Sequence, residues 1–160
     1  MRKSNQHPGI PAPGTGKRGE EGYLGYLLRQ AAGAYRHRVE RTLADLGVTP
    51  PQFATLTMVA AYPGLSNADI ARLAMLTPQT VSVIVANLER SGSLVRKPHA
   101  VHGRILQLEL SDSGQALLKT CRGRVHAIEK EVTEGLSPEE ERIVRRWLVS
   151  VATAGGADKD

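Results

Sequence analysis

The sequence predicts a mainly α-helical fold with one small β-ribbon, on three observations. Apolar residues return at three- and four-residue steps through most of the stretch from about Glu20 to Val151. Near the middle, two short segments, each opened by a hydroxyl residue, are separated by only a few residues. Between Leu94 and Leu110 the period falls to two, interrupted by Pro98 and Gly103. These give a winged helix-turn-helix lobe at about 49–110, carried between long N- and C-terminal helices at about 20–46 and 111–153. Residues 1–19 and 154–160 read as flexible tails, the first basic and rich in Pro and Gly.

The first long helix carries Leu24, Leu28, Ala31, Tyr35, Val39 and Leu46 as one stripe, and Gly47 stops it. Thr49-Pro50-Pro51-Gln52 opens the next: a hydroxyl cap, proline in the first turn, and Gln where a capping box needs it. Phe53, Leu56 and Ala60 are its apolar side, and Pro63-Gly64 ends it. Ser66 caps a third helix, with Asp69 three residues later and Ile70, Leu73 and Ala74 facing inward. Thr77-Pro78 starts a fourth, in which Val81, Ile84, Val85 and Leu88 fit i, i+3, i+4, i+7.

Ser91-Gly92 closes that helix, and Leu94-Val95-Arg96 with Ile105 to Leu110 forms the ribbon. Ser111 caps a helix striped by Leu117, Cys121, Val125, Ile128 and Val132. Ser137-Pro138-Glu139-Glu140 opens the last, with Ile143, Val144, Trp147, Leu148 and Val151. So small a lobe offers two long terminal helices little core to join. Their stripes are therefore expected to bury against a second copy of the chain.

Composition narrows the function. The chain has 160 residues, 41% of them hydrophobic but only 4% aromatic, which suits one globular domain packed by aliphatic side chains. No apolar run approaches the roughly 20 residues of a membrane helix, and no signal segment follows the basic start, so a soluble cytoplasmic protein is expected. A single cysteine, Cys121, excludes an internal disulfide and a cysteine-cluster zinc site. Gly14-Thr15-Gly16-Lys17 is a poor phosphate loop, since Pro11 stands where its first glycine belongs and Arg18 replaces the Ser or Thr. With no nucleophile in a recognised motif either, no enzyme, metal or cofactor is expected.

Charge placement points to DNA. The net charge is only +5, but residues 66–104 hold a local excess of three positives, and Ser91 to Arg104 contains no acid. The polar face of the fourth helix shows Gln79, Thr80, Ser82, Val83 and Asn87, with Arg90 at its end. Gln and Asn bond adenine bidentately, Ser and Thr bond several bases or phosphates, and Val83 suits a thymine methyl. The caps Ser66 and Thr77 mark helix N-termini whose free N–H groups suit phosphate. Arg96, Lys97 and Arg104 would clamp the DNA backbone, with His99 and His102 at the ribbon tip. The alternative is a winged helix that binds protein and never DNA. It predicts an apolar exposed face on the fourth helix.

Residues 23–152 resemble the MarR-type transcriptional regulators. The similarity lies in Ser66-Asn67-Ala68-Asp69-Ile70-Ala71, Thr80-Val81-Ser82, Leu88-Glu89-Arg90-Ser91-Gly92, Leu94-Val95-Arg96, and Gly103-Arg104 leading to Leu110-Ser111-Asp112-Ser113-Gly114. The resemblance implies a homodimer joined by the first and last helices, and repression or activation tuned by a small aromatic or phenolic ligand between the lobes. Three positions depart from the family pattern. His102 stands where relatives often carry the Asp that braces the wing arginine, Val83 where they often carry Arg, and Ala86-Asn87 where Asp-Arg is common.

Remaining residues are assigned by chemistry. Tyr26, Arg29, Tyr35 and Tyr62 are candidates for a ligand pocket, aromatic walls with a guanidinium fork for a carboxylate. Cys121 lies on an apolar stripe and is expected to be buried packing rather than a redox sensor. His37 and His126 lie on different helices and are not expected to share a metal.

Overall fold

A computed structural model describes residues 9–98 and 106–154. Ahead of the first long helix, in the stretch read as basic tail, Gly16–Arg18 form one 3-10 turn. Arg18 Nη1 donates to the Pro11 carbonyl at 2.7 Å, and Lys17 lies over the Tyr23 ring. Helix α1 (Leu24–Leu43) starts later than the sequence suggests and passes into a 3-10 turn, Ala44–Leu46, that ends at Gly47 with φ 65°. Helices α2 (Pro50–Ala61), α3 (Asn67–Ala74) and α4 (Pro78–Arg90) follow. Strands β1 (Leu94–Pro98) and β2 (Leu106–Leu110) pair antiparallel, with Leu94 opposite Leu110 and Pro98 opposite Leu106. Helices α5 (Asp112–Val132) and α6 (Pro138–Thr153) complete the order.

Local caps explain where these helices begin. In α2, Gln52 N–H donates to the Thr49 hydroxyl while Thr49 N–H donates to Gln52 Oε1, a reciprocal box. Ser66 with Asp69 repeats that device at α3, and Ser137 with Glu140 at α6. At α4 the Thr80 N–H donates to Thr77 Oγ1 at 3.1 Å and Pro78 takes the first turn.

Two apolar clusters form the core. The first joins Leu56 and Val59 of α2, Ile70 and Ala71 of α3, Val81, Ile84, Val85 and Leu88 of α4, Leu94 and Leu108 of the ribbon, and Leu118 of α5. The second joins Val39 and Leu43 of α1 to Val48 and to Cys121, Val125 and Ile128 of α5. The two meet at Phe53 and Leu117, which pack against both. At the start of α5, a Cβ on buried Gly114 would lie 1.9 Å from the Ser93 carbonyl oxygen, so only glycine lets this helix approach the ribbon.

This core corrects the sequence expectation for the terminal helices. The stripe of α5 is not reserved for a second copy. Leu118, Cys121, Val125 and Ile128 are buried within the chain, whereas Val132 is half exposed and Leu117 only partly covered. On α1 it is Leu43 that is fully buried, and Leu24 stands in solvent. Helix α6 behaves as expected of a face that lacks a partner. None of its residues is buried, and Trp147, the most covered of its large apolar residues, remains 37% exposed. Among the described residues no helix is long and apolar enough to cross a membrane.

Candidate nucleic-acid interface

The buried stripe of α4 fixes which side the helix turns outward. Val81, Ile84, Val85 and Leu88 lock onto α2, α3 and the ribbon, and the opposite face follows from the 100° step. Gln79, Thr80, Ser82, Val83 and Arg90 are all exposed, Val83 by 61%, and Asn87 is half-buried at the edge of that face. The structure therefore gathers these six on one helix surface. Thr77 and Ser66 are exposed as well, but both hydroxyls are engaged as caps.

Several of these side chains already have partners. The Ser82 hydroxyl donates to the Pro78 carbonyl at 2.9 Å, and Arg90 Nη1 donates to Asn87 Oδ1 at 2.9 Å. A bidentate grip on adenine uses both the oxygen and the nitrogen of an Asn carboxamide; the oxygen has two lone pairs, so Asn87 can accept from Arg90 and from adenine together.

On the ribbon, Arg96 reaches back to α4, with Nε donating to Glu89 Oε1 at 2.8 Å and Nη2 to Oε2 at 3.4 Å. Lys97 Nζ lies 3.1 Å from Glu109 Oε2 across the strand pair. Both wing cations thus carry a carboxylate companion, a feature that the charges along residues 91–104 do not disclose. Both pairs are solvent-exposed, so phosphate oxygens compete for these cations at modest cost. His99, His102 and Arg104 lie outside the described residues.

The four ligand candidates are not brought together. Tyr26 and Arg29 stack on each other at the N-terminal end of α1, 5.8 Å from guanidinium carbon to ring centroid. Tyr35 lies mid-helix and donates its hydroxyl to Glu129 of α5. Partial burial, reinforced by that carboxylate, pushes its pKa up to about 12. Tyr62, exposed, ends α2. The pairs Tyr35–Glu129, Arg38–Glu131 and Arg124–Asp45 all link the α1 region to α5, which makes Tyr35 part of a structural seam. A groove of about 590 Å³ lies elsewhere, between α2, β2 and α5.

Cys121 is fully buried, and burial pushes its thiol pKa up, the reverse of what a reactive thiolate needs. His37 bonds Glu40 at 3.2 Å. Among the described residues no group of three or more His, Cys, Asp and Glu side chains could hold a metal.

Comparison with known proteins agrees with this geometry. Residues 46–105 match the model of the MarR family. The HTH-type transcriptional repressor Rv2887 of Mycobacterium tuberculosis is 36% identical over 125 residues, covering 78% of this chain and 90% of that protein. The crystal structure of Rv2887 with salicylic acid superimposes with a TM-score of 0.67 at 34% identity, covering 82% of this chain and 98% of that one. Its complex with DNA gives a TM-score of 0.64 at 32% identity, covering 81% and 97%. The family match and this level of identity over most of both chains lead to one conclusion: the chain belongs to the MarR family of transcriptional regulators.

Proposed function

We propose that the protein is a homodimeric repressor that binds double-stranded DNA sequence-specifically and loosens or tightens its grip when a small aromatic ligand binds. It acts by binding rather than by chemistry, in the cytoplasm where its DNA lies. The observation that carries this reading is the exposed polar face of α4, set by its buried stripe and flanked by the cationic ribbon. Gln79, Thr80, Ser82, Val83 and Asn87 read base edges in the major groove, and Arg96, Lys97 and Arg104 hold backbone phosphates. The helix N-termini at Ser66 and Thr77 add N–H groups aimed at phosphate, and Arg90 extends the cationic edge. His99 and His102 are further candidates for contacts to the DNA backbone. A protein-docking face would be apolar. Here Val83 is the one large apolar residue among those named.

Dimerisation is supported by α6, whose apolar face has no cover among the described residues. Two copies place two α4 helices about 34 Å apart, one duplex turn, and call for a near-palindromic site. An aromatic effector is supported by the salicylic acid complex of Rv2887. It shifts DNA affinity only so far as it prefers one spacing of the lobes.

Selection from random duplexes at fixed salt tests the reading. A near-palindromic consensus with half-sites one turn apart is expected, and a pool without enrichment would overturn it. On the selected site, replacing Arg96 and Lys97 by Ala should weaken all sequences alike. It should also flatten the salt dependence, the log–log slope falling by up to about 0.9 for each phosphate no longer neutralised.

A further inference from the structure

The end of α4 and the start of the ribbon are joined without slack. Leu88 and Leu94 are buried in the same apolar cluster. Between them Gly92 takes φ 75°, its N–H donates to the Glu89 carbonyl, and Ser93 N–H donates to the Leu88 carbonyl, the two bonds of a Schellman closure. The β1 backbone therefore leaves α4 at a fixed angle. Glu89 follows the first anchor and Arg96 lies two residues past the second, and their side chains meet.

They meet side-on. Arg96 donates from Nε at 2.8 Å and from Nη2 at 3.4 Å to the two Glu89 oxygens. A guanidinium has a second fork, formed by Nη1 and the remaining Nη2 hydrogen, and this geometry turns that fork away from Glu89. A phosphate can be gripped there with the carboxylate still in place. Glu89 stands two helical turns beyond Ser82, on one flank of the face assigned to base edges. Lys97 is held differently. It pairs with Glu109 of β2, so its position refers to the ribbon alone, and an ammonium has no fork to orient.

We infer that Glu89 is a specificity-determining residue of DNA binding: it aims the Arg96 fork from the frame of α4, so that the wing grips phosphate at one fixed offset from the bases that α4 reads. This rests on the reading of the protein as a sequence-specific DNA binder. Arg96 is the contact, and Glu89 is a positioning residue that acts through it. On the correct site, base contacts fix where α4 lies, and a pre-aimed fork meets its phosphate without further ordering. On other sequences no base contacts hold α4 in register, and the wing needs only its charge. Glu89 thus favours the correct site over the rest, while its own charge beside the backbone weakens binding to any sequence.

The test uses the full-length protein at fixed salt with two duplexes, the consensus enriched from the random pool and a scrambled sequence of the same length. Glu89→Gln keeps the shape and removes the charge. It should bind the scrambled duplex at least as tightly as wild type does. The ratio of consensus to scrambled affinity should fall about threefold to tenfold, the cost of ordering one long side chain at an interface. Arg96→Lys, which keeps the charge without the fork, should lower that ratio similarly, and the double variant should lower it no further. Because the pair is solvent-exposed, both single variants should keep the wild-type thermal transition. In nitrogen-edited NMR spectra the Arg96 Nε–H signal, identified by its absence from Arg96→Lys, should persist when the consensus duplex is added. An unchanged affinity ratio in Glu89→Gln, additive effects in the double variant, or loss of that signal on binding overturns the inference. An equal fall in affinity for both duplexes would make Glu89 a structural brace and overturn it too. If the wild-type protein binds neither duplex, the DNA-binding reading falls and the inference with it; where wild type binds both, the variants decide the inference alone.

Discussion

The helix-turn-helix lobe and the terminal helix α6 are written in the same amphipathic code, yet they end differently. In the lobe, the stripes of α2 and α4 close on Ile70 and Ala71 of α3 and on the ribbon, leaving Leu56, Ile70, Val81 and Leu94 essentially without solvent exposure. Leu73 of α3, read from the sequence as facing inward, is 46% exposed. In α6, an equally regular stripe, from Ile143 through Trp147 to Val151, closes on nothing among the described residues. Periodicity tells which face of a helix is apolar, but not whose surface will cover it. A core finished within the chain makes the lobe a rigid reading head. The stripe that is left open makes its stability and its spacing a matter of a second subunit.

That contrast is broken most forcefully from the lobe side. Ile70→Ala should cost about 2–5 kcal/mol in urea unfolding, because a fully buried side chain leaves a cavity among α2, α4 and the ribbon. Loss of the whole DNA-reading surface should accompany it. A cost near zero would mean the lobe is not self-contained.

The second break comes from α6. Trp147→Asp with Leu148→Asp removes no buried side chain of the single chain, so the helices of the lobe should keep their circular dichroism. Sedimentation should show the dimer replaced by monomer. DNA affinity should fall by at least about a hundredfold, since one half-site forfeits the second reading head. A variant that stays dimeric would place the subunit interface elsewhere.

Much of the lobe was legible because its signals are local. The Ser66–Asp69 box, Thr77-Pro78 and the four apolar positions of α4 each depend on residues within one or two turns, and the structure realises all of them. What was not legible depends on distance. That α5 buries Leu118 rather than Leu117 follows from how it crosses α2 and the ribbon, and a single stripe carries no such information. The carboxylates beside Arg96 and Lys97 are set by strand register and by the exit angle of α4, neither of which shows in the charges of residues 91–104 alone. The groove between α2, β2 and α5 needs three elements to exist at all. Tyrosines are conspicuous in a sequence poor in aromatics, which favours α1 as a ligand wall on composition, but their spacing along the chain says nothing of whether they converge.

Even the self-contained lobe holds one strained position. Met75, between α3 and α4, has φ 53° and is 90% exposed. A left-handed conformation costs an ordinary L-residue roughly 1–2 kcal/mol, part of which glycine gives back through its unfolded-state entropy. Met75→Gly should therefore raise stability by about 0.5–1 kcal/mol without altering the duplex affinity of the wild-type consensus. A fall in affinity at unchanged fold would instead mark Met75 as a contact to DNA.

The smallest effect separates the two regions by the same chemistry. Ser66 with Asp69 and Ser137 with Glu140 form equivalent boxes, and in both the serine hydroxyl and backbone N–H hold the carboxyl below its usual pKa. Because the folded pKa is depressed, the stabilisation is complete above the unfolded value near 4 and is lost as pH falls through the folded one. In α3 the helix remains pinned by Ile70 and Ala71 when its cap is lost, so Ser66→Ala should change amide protection only in the first turn. In α6 no buried residue helps to restrain the N-terminus among the described residues, so Ser137→Ala should open the whole first half of the helix to hydrogen exchange. That difference should be widest at protein concentrations where monomer prevails, and should shrink as the dimer forms. Equal protection loss in the two helices at low concentration would show that α6 is held by the rest of its own chain.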